Sequence, residues 1–191
     1  MAQPVQEFIA QYNIHLDEKQ RVDAYHLFKV TKHLKATGVF NNSLFDMNDT
    51  KICQYFSNGD QTCREAQTGR DVDMSFFPPS RVEFKNSLKD QLNFISTSDS
   101  TELSFKLITD SITVVEKKLN DFQKFIYTFS TKMKDLLQVE NVAERNGSNY
   151  GSHTKFMTYQ TIEGILVPKK ILFSNSFCKA TLDYADVSFG K

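Results

Sequence analysis

From Ser111 to Val139 the apolar residues Ile112, Val115, Leu119, Phe122, Ile126, Phe129, Met133 and Leu136 recur at steps of three and four. That spacing lines one face of an α-helix, and the positions between are mostly Lys, Asp, Glu, Gln, Thr and Ser. The stretch therefore predicts a long amphipathic helix over 111–139. Asp110 or Ser111 can cap its start, and Asn141 with the loop Asn146-Gly147-Ser148-Asn149 can end it. Phe125, Tyr127 and Phe129 also alternate, as in a strand, but the helical spacing runs over more of the sequence and decides the reading. In a coiled coil the g positions Lys118, Phe125 and Lys132 would meet the e positions Glu116, Gln123, Ser130 and Leu137. These offer no complementary charge pairs, so the helix is expected to pack within its own chain.

Around it the texture changes twice. Val5, Phe8, Ile9 and Tyr12 open a helical face, and Val22, Tyr25, Leu27, Phe28, Val30 and Leu34 continue it after a polar break, predicting an N-terminal helical segment within 1–37. Short β-like pieces fill 38–108: Gly38 to Met47, Lys51 to Phe56, a strand at Cys63, Arg81 to Phe84, Gln91 to Ile95, and the alternating Leu103, Phe105 and Leu107. Residues 154–191 read as a β-meander, Lys155 to Ile162, Ile165 to Ser174 and Phe177 to Phe189, with Pro168 marking an edge or a bulge. The predicted class is α+β in a single domain, 1–191: a curved antiparallel sheet packed against a long amphipathic helix.

The totals narrow the function. Lys plus Arg and Asp plus Glu balance at 23 each, which argues against broad electrostatic capture of nucleic acid or an anionic membrane. No apolar run reaches the ~18 residues a spanning helix needs. The first residues, Met1-Ala2-Gln3-Pro4-Val5-Gln6, lack the basic and apolar regions of a signal peptide. Seventeen Phe and seven Tyr without Trp make the interior aromatic, suiting either plain packing or a cavity for an apolar ligand.

Cys53 and Cys63 flank the turn Ser57-Asn58-Gly59-Asp60, so a hairpin would set them opposite each other, as a disulfide or as two thiols. Cys178 is left over, and no second CxxC or nearby His completes a zinc site. His26 and His33 would lie roughly 10 Å apart on a helix, too far to share a metal. No Ser sits in a G-x-S-x-G elbow, and Asp183 and Asp186 point to opposite faces of a strand. The Gly-rich run 146–152 lacks the P-loop Lys. Neither an enzyme nor a cofactor is expected.

Thr158-Tyr159-Gln160-Thr161-Ile162-Glu163-Gly164-Ile165-Leu166-Val167-Pro168-Lys169-Lys170-Ile171, followed by Ala180-Thr181-Leu182-Asp183-Tyr184-Ala185-Asp186-Val187, resembles the closing strands of the LolA-like outer-membrane lipoprotein carrier superfamily. Leu34-Lys35-Ala36-Thr37-Gly38 and Pro79-Ser80-Arg81-Val82-Glu83 are similar to earlier segments of it. The resemblance implies a curved antiparallel sheet with helices against its concave face. It also implies an apolar cavity between them and acyl-chain transport or sensing in a periplasmic or secreted setting. On that reading the ligand contacts are Phe122, Ile126, Phe129 and Met133 on the long helix, with Ile165, Val167, Phe173 and Leu182 on the sheet. The same residues also suit a closed core. The competing reading is a protein interaction module that recruits a partner through its N-terminal helix or a sheet edge.

Overall fold

The computed structural model describes residues 4–16, 25–56, 60–71, 102–145 and 148–191. One helix, α1 (Pro4–Leu16), precedes ten strands: β1 (Leu27–Phe40), β2 (Ser43–Phe56), β3 (Gln61–Glu65), β4 (Glu102–Ile108), β5 (Ile112–Asn120), β6 (Gln123–Ser130), β7 (Leu136–Arg145), β8 (Ser148–Ile162), β9 (Ile165–Asn175) and β10 (Cys178–Gly190). They form one antiparallel sheet in the order β3-β2-β1-β10-β9-β8-β7-β6-β5-β4. Two meanders, β1 to β3 and β4 to β10, are thus joined by the pairing of β10 with β1. The expected strands at 81–84 and 91–95 lie outside the described residues.

The turns follow from their residues. Asn41 and Asn42 connect β1 to β2 with φ of 49° and 62°, the paired left-handed conformation of a type I′ hairpin. Glu163 and Gly164 repeat it between β8 and β9, at 52° and 85°. Gly38 is needed for space: a Cβ there would sit 2.1 Å from the Phe177 carbonyl oxygen. That oxygen accepts a 2.8 Å hydrogen bond from the Val39 N–H.

The long helix predicted over 111–139 is not formed; β5, β6 and the start of β7 occupy that stretch. The α+β class with a long helix on the sheet is therefore corrected to a wide sheet carrying, among the described residues, one short helix. Ile112-Thr113-Val114-Val115 is a run of β-branched residues, which lose rotamer freedom in a helix and pack well on a pleated surface. In β5 the inward residues are Thr113, Val115 and Lys117, at 2%, 0% and 1% exposure. Two of the three are polar, which conceals the period of two. In β6 the true period is the one Phe125, Tyr127 and Phe129 display.

The N-terminal helical segment is corrected likewise. Its helix ends at Leu16, and Leu27 onward is β1. There Phe28, Val30, Lys32, Leu34 and Ala36 are all buried on one face, a period of two that the helical spacing of the apolar residues had masked.

Helix α1 starts with Pro4, whose fixed φ suits a first helical position, and carries Glu7 in its first turn beside the positive end of the dipole. Its Val5, Ile9 and Tyr12 are buried against one face of the sheet, hereafter the inner face. Phe8 meets Phe105 and Phe129 edge-on at 5.7 and 5.2 Å, and Tyr12 meets Phe129 at 4.9 Å. Such pairs each add roughly 0.5–1.5 kcal/mol beyond the area they bury. The opposite face is ionic: Glu116 joins Lys106 at 3.0 Å and Lys124 at 2.8 Å across three strands.

Candidate functional site

Of the residues proposed to line a ligand site, Phe129, Ile165, Val167 and Phe173 are buried on the inner face, and Leu182 is partly buried against the same cluster. Phe122 and Met133 stand in turns at 70% and 64% exposure. Ile126 pairs with Glu116 and Glu140, so it belongs to the outer face. The structure thus gathers the four sheet residues and Phe129 and sets the other three apart.

The inner face is divided by the way β9 and β10 meet. Their ladder runs only from Lys179↔Ser174 to Asp183↔Lys170. Beyond it β10 continues beside β1 as far as Gly190, and β9 continues beside β8 as far as Ile165. Past Asp183 and Lys170 the two strands share no rung. The Tyr25 hydroxyl, just ahead of β1, donates to Glu163 Oε2 in the β8–β9 turn at 3.1 Å. Pro168 lies on this length of β9, opposite Tyr159 of β8 and without a rung to β10. The expectation of a bulge at Pro168 matches the register shift at Thr158/Tyr159, where β9 carries the extra residue Lys169; a second shift, at Phe156/Thr158, leaves Met157 extra in β8.

Tyr184 is the first inward residue of β10 past the last rung. It pairs with Lys32 of β1, and Lys32 pairs with Lys51 of β2. Residues directly opposite on neighbouring strands share a face, so two lysines and two tyrosines meet on the inner side. Lys32 is 5% exposed and Lys51 3%. The Lys32 ammonium donates to the Tyr55 hydroxyl at 2.6 Å and lies 4.7 Å from the Tyr55 ring and 5.0 Å from the Tyr184 ring. Lys51 reaches Asp49 at 3.5 Å.

Burial, with the Lys51 charge adding to it, brings the Lys32 ammonium down to about 7. Burial also lowers Lys51, against the opposing pull of Asp49 and Glu65. The same desolvation raises the Tyr55 and Tyr184 phenols, which stay neutral donors. On β8, Gln160 pairs with fully buried Val167, and its Nε2 is buried without a hydrogen-bond partner.

The sequence carried a signal for this cluster that went unread. Lys32 interrupts Phe28, Val30, Leu34 and Ala36 at an inward register position, where a charge is out of place.

Cys53 and Cys63 are opposite in the β2–β3 register and joined by a disulfide, their Cα atoms 4.2 Å apart. The bond is buried beside Tyr55, whose hydroxyl is 4.0 Å from Cys63 Sγ. Cys178 is free, its thiol pushed up by burial. Among the described residues no group of three His, Cys, Asp or Glu could hold a metal. No described helix is long and apolar enough to cross a membrane. At one rim, Gly38, Val39, Leu44, Phe45, Phe177 and Lys179 border an open cleft of about 570 Å³, with Leu44 88% and Phe177 59% exposed.

A wide antiparallel sheet with an apolar inner face bearing α1 is the LolA-like fold. A LolA superfamily protein from Nitrosomonas europaea superposes with a TM-score of 0.65 at 12% identity, covering 100% of this chain and 95% of that one. A DUF1329 family protein from Desulfovibrio piger gives 0.57 at 9% identity, over 98% and 94%. A domain named as a candidate outer membrane lipoprotein-sorting protein from Vibrio parahaemolyticus gives 0.53 at 15% identity, over 95% and 90%. No protein-family profile matches the sequence, and no curated protein matches it.

Proposed function

We propose that the protein is a non-enzymatic carrier or sensor that binds a lipid or other apolar ligand on the inner face of its sheet, outside the cytoplasm. The observation that carries this reading is the end-to-end superposition on a LolA superfamily protein and a lipoprotein-sorting domain. The inner face supports it. Its centre is aromatic and aliphatic, with Ile165, Val167, Phe173 and Leu182 gathered on one side of the sheet, the kind of surface an apolar ligand contacts. Phe129, seated against Phe8 and Tyr12, is assigned to the packing of α1. The buried Cys53–Cys63 bond fits a periplasmic or secreted setting, because disulfides persist in oxidising compartments.

Purified protein is extracted with organic solvent and the extract examined by mass spectrometry, and a bound fluorescent fatty acid is then competed with unlabelled lipid. Recovery of an amphiphile near one per chain, with displacement of the probe, is expected. An empty extract together with no probe binding sinks the reading.

A protein interaction module with a closed interior is the second reading. It is favoured by the rim cleft, where Leu44 and Phe177 stand in solvent beside Val39.

A further inference from the structure

The sheet leaves an apolar patch on its outer face, at the rim cleft. Side chains alternate along β1, so with Leu34 and Ala36 buried on the inner side, Thr37 and Val39 point outward, and both are exposed. Directly opposite residues of neighbouring strands share a face. The register therefore sets Asp46 of β2 and Lys179 of β10 on either side of Thr37, and Leu44 of β2 beside Val39. Phe177, whose carbonyl accepts from the Val39 N–H, flanks Val39 on the other side. Leu44 and Phe177 are 88% and 59% exposed, and Asp46 and Lys179 are exposed as well. The turns themselves do not need this apolar row. Asn41 and Asn42 make one. The Asn175 side chain makes the other, accepting from the Phe177 and Cys178 N–H groups at 2.9 and 2.7 Å. Apolar side chains held in solvent between charges mark an interaction surface.

We propose that this patch is a dimer interface, covered by a second copy of this chain related by a two-fold axis along β1. Such an axis, lying in the plane of contact, exchanges the two sides of Thr37. Asp46 of each copy then faces Lys179 of the other, Leu44 meets Phe177, and Val39 meets its own counterpart. Opposite charges at mirrored positions make the pairing attractive. Among the described residues neither Asp46 nor Lys179 has an ion-pair partner within its own chain. A bilayer surface offers no such match, because Asp46 repels the anionic head groups that Lys179 attracts. Lys35, the next outward residue of β1, would face its own counterpart, so the contact ends at the Thr37 row. Six side chains a copy fall well short of the ~20–30 residues of a standard interface, so the dimer is weak, with a Kd of about 100 μM. The interface goes beyond the carrier reading, which concerns the other face.

Sedimentation velocity on the full chain with its disulfide intact, from about 10 μM to about 1 mM, tests it. A reversible monomer–dimer equilibrium is expected, and it should be lost in Leu44→Ser and Phe177→Ser, whose side chains stand too far into solvent to support the fold. Asp46→Lys and Lys179→Asp should each weaken dimerisation about tenfold, since both cross-copy pairs become like-charged. Mixed one to one, these two variants should associate at parental strength, because each then meets the opposite charge.

A protein that stays monomeric at the highest concentration, or a dimer unmoved by Leu44→Ser and Phe177→Ser, overturns the interface. Association that the charge variants leave unchanged, or that their mixing does not restore, overturns the two-fold pairing. Binding of a monomeric protein to phosphatidylcholine vesicles, lost in Leu44→Ser, assigns the patch to a lipid surface and overturns the dimer. Each of these outcomes leaves lipid binding on the inner face to be decided by solvent extraction and probe competition.

Discussion

The two halves of the inner face differ in how their buried groups are arranged. On the β4 to β8 side, α1 lies on the sheet and the contacts are aromatic, Phe8 and Tyr12 on Phe129 and Phe8 on Phe105, while β5 buries Lys117. On the β2, β1 and β10 side the same face carries Lys51, Lys32 and Tyr184 in one row, where β10 has left its ladder with β9. Aromatic packing of the first kind stabilises the fold. Two desolvated ammonium groups on neighbouring strands make the stability of the second half depend on pH.

The contrast is broken most directly by truncating the first half. Phe129→Ala removes a fully buried ring held by α1 and should cost about 4 kcal/mol in urea denaturation, with ligand affinity in the surviving folded fraction unchanged. A smaller loss, together with lost binding, would move the site under α1. Next comes the covalent tie of the second half. Replacing Cys53 and Cys63 together by Ala opens a short loop and should lower stability by about 3 kcal/mol, an effect that reductant on the parent protein should reproduce.

The third prediction concerns pH. Lys32 titrates near 7 in the folded protein against an ordinary 10.5, so between those values the unfolded chain binds more protons and stability rises with pH. The lowered Lys51 adds to the rise in the same sense, and Asp49 and Glu65 beside it oppose it in part. The raised Tyr12, Tyr55 and Tyr184 phenols reverse the trend only above about pH 10. The Lys32 share of the gain from pH 7 to pH 9 should be about 2 kcal/mol, and Lys32→Met should flatten the profile by that amount. An unchanged profile would show that Lys32 is not desolvated. The smallest effect belongs to Gln160→Leu. Removing a donor that has no acceptor should change stability by less than about 1 kcal/mol, toward stabilisation, in melts of ligand-free protein.

Much of this architecture was legible in the sequence where one period ruled. The spacing of Val5, Phe8, Ile9 and Tyr12 located α1. The alternations from Lys155 onward located β8, β9 and β10, and the turn-forming sequence Ser57-Asn58-Gly59-Asp60 implied the hairpin in which Cys53 pairs with Cys63. Reading failed where polar residues face inward. Thr113 and Lys117 broke the alternation of β5. The steps from Leu119 to Phe122 and from Phe129 to Met133, which look like helix periodicity, cross hairpin turns at Asp121-Phe122 and Thr131-Asp135. Lys32 did the same to β1. The residues that hid these strands are polar side chains turned inward, against the pattern that packing alone would write.

Hydrogen exchange on the full chain, with and without palmitic acid, compares the two halves in one experiment. The account predicts added protection in β9 and β10, around Val167, Phe173 and Leu182, with α1 and β4 to β6 unchanged. Protection confined to α1, β5 and β6 would contradict it.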